Sequence, residues 1–315
     1  MSLADMDIRD AFFQEIYNIA MKDKDVIFIT ADADSFVLRD YKKDFPDQFI
    51  NASVAEQNMI AVAAGLALSG KKVFILALIP FVTLRCLEHI KVNICSMNLP
   101  VTIIGLGAGF GSGIDGPTHH AVDDIAIMRI LPEITILNPS DSTLSASCAQ
   151  IAYQSNSPVY VRLDKGKFPN LYEKDYDYST GFKIIKPLKE VNIISTGFIT
   201  KEAVKLAETL EKNNLSVGLI DLYKLKPLNR EALLKCFEGA KYLITIEENS
   251  IVGGIGTIIS ELISDNRKAI TLKRIALEDK QCFDYGTREW LDQLYGLDQE
   301  TVSKIVLKEL RKCQK

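Results

Sequence analysis

The sequence has 315 residues and no apolar run that approaches the roughly 20 residues needed by a membrane-spanning helix. Its first ten residues, MSLADMDIRD, are acidic and lack the apolar core of a signal peptide, so we expect a cytoplasmic protein without a membrane partner. The 37 basic residues are fewer than the 41 acidic ones and form no tract that could neutralise successive phosphates, which argues against a nucleic-acid partner. The cysteines form no C-x-x-C pair, so neither zinc nor a disulfide framework is indicated; they are Cys86, Cys95, Cys148, Cys236, Cys282 and Cys313.

Short β-branched runs alternate with longer helical patterns, which is typical of βαβ units and parallel sheets. Because 315 residues exceed the size at which one hydrophobic core usually stops growing, we expect two α/β domains. The apolar pattern fails where charges, proline, glycine and tyrosine cluster, so we predict a first domain at 1–165, a linker at 166–182 and a smaller domain at 183–315. Strands are predicted at 26–30, 73–78, 101–106, 134–137, 158–161, 191–196, 216–220, 242–246 and 270–275. Helices are predicted at 7–22, 53–69, 82–98, 120–131, 140–156, 200–213, 229–239, 251–265 and from about Asp298.

Two glycine-rich stretches could suggest phosphate binding. Gly111, Gly113 and Gly116 have the G-x-G-x-x-G spacing, but Pro117 follows where a dinucleotide-binding helix would have to begin. The stretch EENSIVGGIG, residues 247–256, is more typical of a strand-to-helix turn with tight packing. P-loop, H-E-x-x-H and G-x-S-x-G motifs do not occur in the sequence. We therefore interpret both stretches as structural loops that allow close approach to the backbone.

Glu56 is the one acidic residue in FINASVAEQNMIAVAAGLALSG, residues 49–70. Ser53 and Glu56 have the spacing of a capping box, in which both residues satisfy backbone donors at a helix start. The segment behind Glu56 is apolar on every face, so its first turn is expected to border a cavity or an interface. Burial there would favour the protonated form of the carboxyl and suit proton exchange. A capping role and a catalytic role are compatible.

Several motifs in order resemble the transketolase family of thiamine-diphosphate enzymes. They are SVAEQNMIAVAAGLALSG, FVTLRCLEHIK, DGPTHHAVDDIAIMRILPEITILNPSD, SPVYVRLDKG and TIEENSIVGGIGTIISEL. The resemblance extends from about residue 8 to the C-terminus. It implies an α/β protein with a parallel-sheet pyrimidine-binding domain for thiamine diphosphate, followed by a smaller α/β transketolase C-terminal domain.

The resemblance implies roles for two cofactor-binding residues. In the family, a glutamate matching Glu56 hydrogen-bonds the aminopyrimidine of thiamine diphosphate and promotes the tautomer that removes the thiazolium proton, so Glu56 is the principal catalytic candidate. Phe81 matches the aromatic residue on which the pyrimidine stacks. For Phe81 alone, core packing is the alternative.

The resemblance also implies substrate contacts in the DGPTHH loop. His119 would lie beside the reacting carbon and exchange protons with substrate hydroxyls, which makes it the second catalytic candidate. Asp115 would contact a sugar hydroxyl, unless it only stabilises the loop. His120 stands where relatives often carry glutamine and is a further substrate-binding candidate behind His119.

Arg162, at the end of the strand PVYV, matches the arginine that binds the phosphate of sugar-phosphate substrates in the family. An arginine at a strand end is as often a salt-bridge partner, so both interpretations stay open. Asp32, with Asp34, loosely matches an acidic segment that lines the site in relatives. Arg85 and Glu88 keep the family pattern and are expected to make structural or interface contacts.

Full-length transketolases carry an N-terminal domain in which Gly-Asp-Gly followed by Asn binds magnesium and the diphosphate, and this sequence contains no such segment. The resemblance therefore implies the C-terminal subunit of a split transketolase, with no metal site of its own. It would transfer a two-carbon ketol unit between sugars or sugar phosphates. A separately encoded N-terminal subunit would bind Mg²⁺ and complete the site, and the expected assembly is α2β2 around a homodimer of this chain.

Three alternatives remain at this point. The 1-deoxyxylulose-5-phosphate synthases share the D-G-x-T-H loop. The beta subunit of a 2-oxo acid dehydrogenase decarboxylating component has the same two domains and cofactor, but usually a different loop in place of DGPTHH. A non-catalytic subunit could keep the fold without turnover.

Overall fold

The computed structural model describes residues 6–313, with side chains up to residue 310. The first five residues and the Cys313 thiol, both considered above, lie outside this description. The first half contains α1 (Ile8–Ala20), β1 (Val26–Thr30), α2 (Phe36–Asp44), β2 (Phe49–Asn51), α3 (Glu56–Leu68), β3 (Lys72–Leu78), α4 (Ile79–Val82), α5 (Leu87–His89), a π-helical turn (Ile90–Cys95), β4 (Val101–Leu106), α6 (Asp124–Arg129), β5 (Thr135–Leu137), α7 (Ser142–Gln154) and β6 (Val159–Leu163). The second half contains β7 (Phe182–Lys186), β8 (Val191–Ser195), α8 (Thr200–Lys212), β9 (Gly218–Leu222), β10 (Lys224–Lys226), α9 (Arg230–Cys236), β11 (Tyr242–Ser250), α10 (Ile255–Asp265), β12 (Thr271–Leu277), α11 (Arg288–Leu294) and α12 (Gln299–Cys313).

Two sheets organise the chain. The first has seven strands in the order β10-β5-β6-β4-β3-β1-β2, and all neighbours are parallel except β10, which runs antiparallel to β5. The second has five strands in the order β12-β11-β8-β9-β7, and β7 is its antiparallel edge. In a parallel sheet the carboxyl ends of the strands share one edge, which is where such folds place their sites. The loops after β1, β3, β4 and β6 therefore converge.

The predicted strands are confirmed within a few residues, and most of them are apolar runs buried on both sides of a sheet; the edge strand β12 is the more exposed exception. The helix predicted at 82–98 is wrong as a single element, since α4, α5 and the π-helical turn occupy that region. The helices α2 and α11 and the strands β2, β7 and β10 were not predicted. The domain boundaries stay a prediction, and β10 completes the first sheet although it follows the predicted linker.

Apolar packing joins the two sheets and the segment between them. One continuous core contains Ile29 and Ile103 of the first sheet together with Ile220 and Leu243 of the second. Tyr172, in the predicted linker, is buried against a second core. Its backbone N–H donates to Asp141 Oδ2 over 2.8 Å, so the linker is packed rather than free. No helix within residues 6–313 is long and apolar enough to cross a membrane.

Candidate active site

Glu56 is the first residue of α3, and its carboxyl is almost fully buried, with 4% of its surface exposed. The predicted capping box is wrong. Ser53 has φ of 56° and its N–H donates to Asn51 Oδ1 over 2.9 Å, so the chain turns before the helix and Ala55 precedes α3 without a side-chain cap. Instead, Glu56 Oε2 accepts a hydrogen bond of 2.8 Å from Arg85 Nη1. A negative side chain at this position is also favoured by the helix dipole.

Phe81 lies in the short α4, directly beyond the carboxyl end of β3, and its ring is partly exposed. The guanidinium carbon of Arg85 lies 4.4 Å from the ring centroid. The His119 ring meets the Phe81 ring edge-on, with 5.0 Å between centroids. Core packing alone does not describe this position, because Phe81 is in none of the apolar clusters. The structure thus brings Glu56, Arg85, Phe81 and His119 into one continuous group.

The loop after β4 presents His119. It contains two 3-10 turns, Gly113–Asp115 and Pro117–His119, which form one turn each and no longer helix, so the structural interpretation of the glycine stretch is confirmed. Thr118 Oγ1 lies 3.0 Å from His119 Nδ1. Asp115 is exposed at the tip of the loop. The loop therefore carries Asp115 and His119 out from the sheet edge beside Phe81.

His120 points away from the loop tip. Its ring is 5% exposed and packs edge-on against Phe110, with 5.0 Å between centroids. Burial lowers the pKa of His120, which favours the neutral imidazole. The ring lines a cavity of about 390 Å³ between the two sheets' loops, together with Asp123 and Lys280. Its role in substrate binding stays a prediction.

Arg162 lies in β6 and forms a buried ion pair. Its side chain is buried, with Nε 2.9 Å from Asp124 Oδ2 and Nη2 2.8 Å from the carbonyl of Ala121. Tyr160 also donates to Asp124 over 2.7 Å, which fixes the carboxylate. A guanidinium enclosed in this way is a structural ion-pair partner, the alternative left open above. This arrangement favours the salt-bridge alternative for Arg162, and contact with a substrate phosphate stays a prediction.

Asp32 follows β1 and is exposed, with φ of 59°. Asn51 Nδ2 lies 3.4 Å from its Oδ1. Asp34 pairs with Arg39 over 2.7 Å. Both aspartates line a separate cavity of about 240 Å³. They lie at the same sheet edge as Glu56, Phe81 and His119 but do not belong to that group.

The group around Glu56 fits the aminopyrimidine half of thiamine diphosphate. A buried carboxyl can hydrogen-bond a ring nitrogen, and the partly exposed Phe81 ring offers a stacking surface. Arg85 contacts both residues, whereas the sequence analysis assigned it to structural or interface contacts. Within the part of the chain that the structure describes, no three His, Cys, Asp or Glu side chains are grouped so that they could hold a metal ion.

Three further residues near the loop escaped the sequence interpretation: Asp124, Glu248 and Arg288. Arg288 Nη1 lies 2.7 Å from Asp164 Oδ2, and its Nε lies 2.8 Å from Glu248 Oε1. Glu248 lies in the motif TIEENSIVGGIGTIISEL, but nothing in the sequence indicated its role. Arg288 lies in a polar segment without periodicity, and no sequence signal singles it out.

The second glycine stretch is also explained by the structure. Both oxygens of Glu247 accept hydrogen bonds from the first turn of α10, from Ile255 N over 2.7 Å and from Gly256 N over 2.8 Å. The chain's own carboxylate therefore occupies this helix start, as the structural interpretation predicts. Burial raises the pKa of Glu247 to about 7.

Comparisons with known proteins agree with the geometry. The pyrimidine-binding domain of transketolase matches residues 4–170, and the transketolase C-terminal domain matches residues 181–302. The chain is 32% identical to one of the subunits of the apulose-4-phosphate transketolase of Phocaeicola vulgatus, over 96% of this chain and 97% of the relative. It is 30% identical to a 6-deoxy-6-sulfo-D-fructose transketolase subunit of Clostridium sp. strain MSTE9, over 92% and 90% of the two chains. A solved split-gene transketolase, described as an inactive β4 tetramer, aligns with a TM-score of 0.85 and 29% identity over 96% of this chain and 97% of that one. The chain therefore belongs to the transketolase family, in which it is the C-terminal subunit of a split transketolase.

Proposed function

We propose that this subunit supplies the pyrimidine side of a thiamine-diphosphate site and the proton-exchanging residues for transfer of a two-carbon ketol unit between sugars. The observation that carries the proposal is the contact between Glu56, Arg85, Phe81 and His119 at the carboxyl edge of the first sheet. Glu56, Phe81 and His119 would each act at a different point of the cofactor or the substrate.

The roles of the chain's own residues follow from their surroundings. Glu56, buried at the start of α3, would hold a proton at the ring nitrogen of the pyrimidine. Phe81 would support the ring by stacking. His119 would exchange a proton with a substrate hydroxyl through Nε2, because the Thr118 hydroxyl engages Nδ1. Thiamine diphosphate, when bound, supplies the nucleophilic carbon that accepts the ketol fragment.

Arg85 changes partners in this proposal. Its guanidinium now covers Phe81 and pairs with Glu56. A pyrimidine stacked on the same face of Phe81 and bonded to Glu56 would displace it toward solvent, where 44% of its side chain is already exposed. Arg85 would then be free to meet the partner subunit or an anionic substrate group.

The partner subunit would hold the diphosphate and Mg²⁺, since the family places these on its N-terminal domain. An α2β2 assembly around a homodimer of this chain is supported by the relative that is named as one subunit of a transketolase and by the solved relative described as an inactive β4 tetramer. The substrates would be ketoses and aldoses with an anionic end. The two relatives are named for a phosphorylated and a sulfonated sugar, so that end need not be a phosphate.

Co-expression with the N-terminal subunit tests the proposal. The purified pair, with thiamine diphosphate and Mg²⁺, should transfer a ketol unit from a ketose phosphate to an aldose, and this chain alone should not. Glu56→Gln should lower kcat by about a hundredfold or more, as loss of an acid–base group does. The exposed Glu208→Gln on α8 is the matched control and should be fully active.

Two results would overturn the proposal. One is a pair that folds and assembles but transfers no ketol unit from any ketose phosphate tested. The other is consumption of pyruvate or another 2-oxo acid without a 3-hydroxyl, with release of CO2, because that leaves no ketol unit to transfer and would favour the synthase or the dehydrogenase component.

A further inference from the structure

The loop that carries Asp115 and His119 passes through a narrow neck. Gly109 and Ala121 form reciprocal backbone hydrogen bonds of 3.0 and 2.8 Å, so residues 110–120 project beyond this bridge. The position of His119 over Phe81 therefore depends on how firmly the neck is held. The backbone bonds of the neck are few, because no sheet continues past it.

An arginine holds each side of the neck. Arg162 Nη2 donates to the carbonyl of Ala121 over 2.8 Å, and Arg288 Nη2 donates to the carbonyl of Ala108 over 3.2 Å. Glu248 lies between the two arginines. Its carboxylate pairs with Arg288, and its backbone carbonyl lies 3.4 Å from Arg162 Nη2. The two guanidinium groups thus enclose the neck from opposite sides.

Arg288 comes from the second half of the chain and joins it to the first. It binds Asp164 at the end of β6 as well as Glu248 of β11, and its side chain is only 10% exposed. The central carbon of the guanidinium also lies over the Phe198 ring, 3.2 Å from its centroid. All three guanidinium nitrogens of Arg288 therefore have partners, an arrangement that a lysine could not reproduce.

Two glycines show how closely the second half approaches the loop. Gly109 has φ of 57°, and a Cβ there would overlap the carboxylate of Glu248. At the tip, Gly286 N–H donates to the carbonyl of Gly113 over 3.1 Å, and a Cβ on Gly113 would lie 2.5 Å from Leu291 Cδ1. The segment from Gly286 through α11 thus rests on the whole length of the loop.

We propose that Arg288 is a positioning residue that fixes the His119 loop from the C-terminal domain, acting through Glu248, Asp164 and the carbonyl of Ala108. The catalytic part of this inference rests on the proposed function, and the structural part does not. Arg288 touches neither Glu56 nor Phe81 in the structure, so its loss should disturb His119 without disturbing the pyrimidine contacts.

Arg288→Lys is the test, because it keeps a positive charge in the buried cluster and loses the fork. Arg129→Lys is the matched control. Arg129 also joins the two halves, through the carbonyl of Gly253 at 2.8 Å and Glu261 at 2.6 Å, but it does not touch the loop. Asp164→Asn is a milder second variant that keeps the pair between Arg288 and Glu248, should Arg288→Lys fail to fold.

Hydrogen–deuterium exchange on the isolated full chain is the first measurement. Peptides covering residues 107–121 should exchange about tenfold faster or more in Arg288→Lys, while peptides from α1 and α7 stay protected, as expected for local opening. In Arg129→Lys the loop should exchange as in the wild type. Unchanged loop exchange in both Arg288→Lys and Asp164→Asn, or equal acceleration in the control, would overturn the inference.

The second measurement uses the reconstituted holoenzyme. We expect kcat to fall about tenfold in Arg288→Lys with the Kd for thiamine diphosphate unchanged within about twofold, since a small misplacement of a catalytic group is costly. An accelerated loop with unchanged kcat would show that Arg288 does not position the catalytic group. If the wild-type pair has no ketol transfer, the proposed function fails, and the exchange measurement still decides whether Arg288 fixes the loop.

Discussion

Replacing Asp221 by asparagine should change how the stability of the chain depends on pH. Asp221 lies in β9 and is fully buried. Its carboxylate accepts hydrogen bonds from Ser140 Oγ at 2.5 Å, Tyr172 Oη at 2.8 Å and Thr200 Oγ1 at 3.0 Å. These donors come from the first half, the linker segment and the second half of the chain. Burial nevertheless raises the pKa of Asp221 to about 7, and the nearby Asp141 adds to the effect.

The direction in which stability changes with pH follows from proton binding. In the unfolded chain an aspartate titrates near pH 4, so between about pH 4 and pH 7 the folded state keeps a proton that the unfolded state has lost. The free energy of unfolding therefore falls as pH rises through this window and levels off above it. Because Asp221 with a pKa of about 7 is already half-ionised at pH 7, the loss between pH 5 and pH 7 is about 2 kcal/mol.

Asparagine at 221 cannot ionise, so Asp221→Asn should lack this contribution. The difference in unfolding free energy, variant minus wild type, should rise by about 2 kcal/mol from pH 5 to pH 7 and become level by about pH 8. Urea unfolding of the isolated chain, followed by circular dichroism at several pH values, measures this difference. Using the difference removes the shared contributions of Glu247 and Asp292, whose pKa values burial also raises, to about 7 and about 9.

The exposed Asp265→Asn serves as the control, because it removes a surface carboxylate that pairs with Arg230. Its stability should run parallel to that of the wild type above pH 5. Parallel curves for Asp221→Asn and the wild type would refute the reasoning, since they would mean that the buried carboxyl binds protons alike in both states.

Three further changes have defined outcomes. Gly109→Ala should destabilise the isolated chain by about 2–4 kcal/mol, because φ is positive and the new methyl group meets Glu248. Gly65→Ala in α3, which has open space around it, should instead raise the unfolding free energy by as much as about 1 kcal/mol. Equal urea midpoints for the two variants would contradict this. Cys86 is buried, which raises its pKa to about 12. Iodoacetamide at pH 8 should therefore modify it about a hundredfold more slowly in the native chain than in urea. Rapid labelling of the native chain would disprove its burial. Phe81→Leu should weaken binding of thiamine diphosphate to the assembled enzyme about tenfold, whereas Phe81→Tyr should not, because stacking needs an aromatic ring. Calorimetry measures both affinities, and equal values for the two variants would show that Phe81 is not part of the site.

The strands could be predicted because each carries its own signal. VIFIT and VTIIGL consist mostly of β-branched Val, Ile and Thr, and the structure places β1 and β4 at the same residues. Such runs are buried on both faces of a parallel sheet, so local sequence and tertiary environment agree. Strand β10 has three residues and alternating lysines, and it joins the first sheet by pairing with β5 far away in the chain. A contact of that range leaves no local pattern.

The active-site group was predicted in its members but not in its connections. Glu56, Phe81 and His119 were identified from motifs, yet Arg85, which links Glu56 to Phe81, was assigned to structural or interface contacts. The sequence left the role of Arg162 open because a motif records the residue type and not the partner, and Asp124 pairs with it in the folded chain. The capping box failed for a related reason: the turn at Ser53 is set by Asn51, and spacing alone cannot show it.

The position of Arg85 bears on how the chain could remain inactive alone and still accept its cofactor. A partly exposed ion pair such as the one with Glu56 contributes about 1 kcal/mol at most, and the contact with Phe81 contributes about 1 kcal/mol more. Together they would weaken a competing ligand by about thirtyfold. Micromolar binding corresponds to about 8 kcal/mol, so a cofactor held also by a partner subunit would displace Arg85 without a separate activation step. A pyrimidine held by Glu56 and Phe81 alone would lose much of its affinity to this competition. The same arginine that keeps the buried carboxylate paired in the isolated chain would therefore make cofactor binding depend on the second subunit.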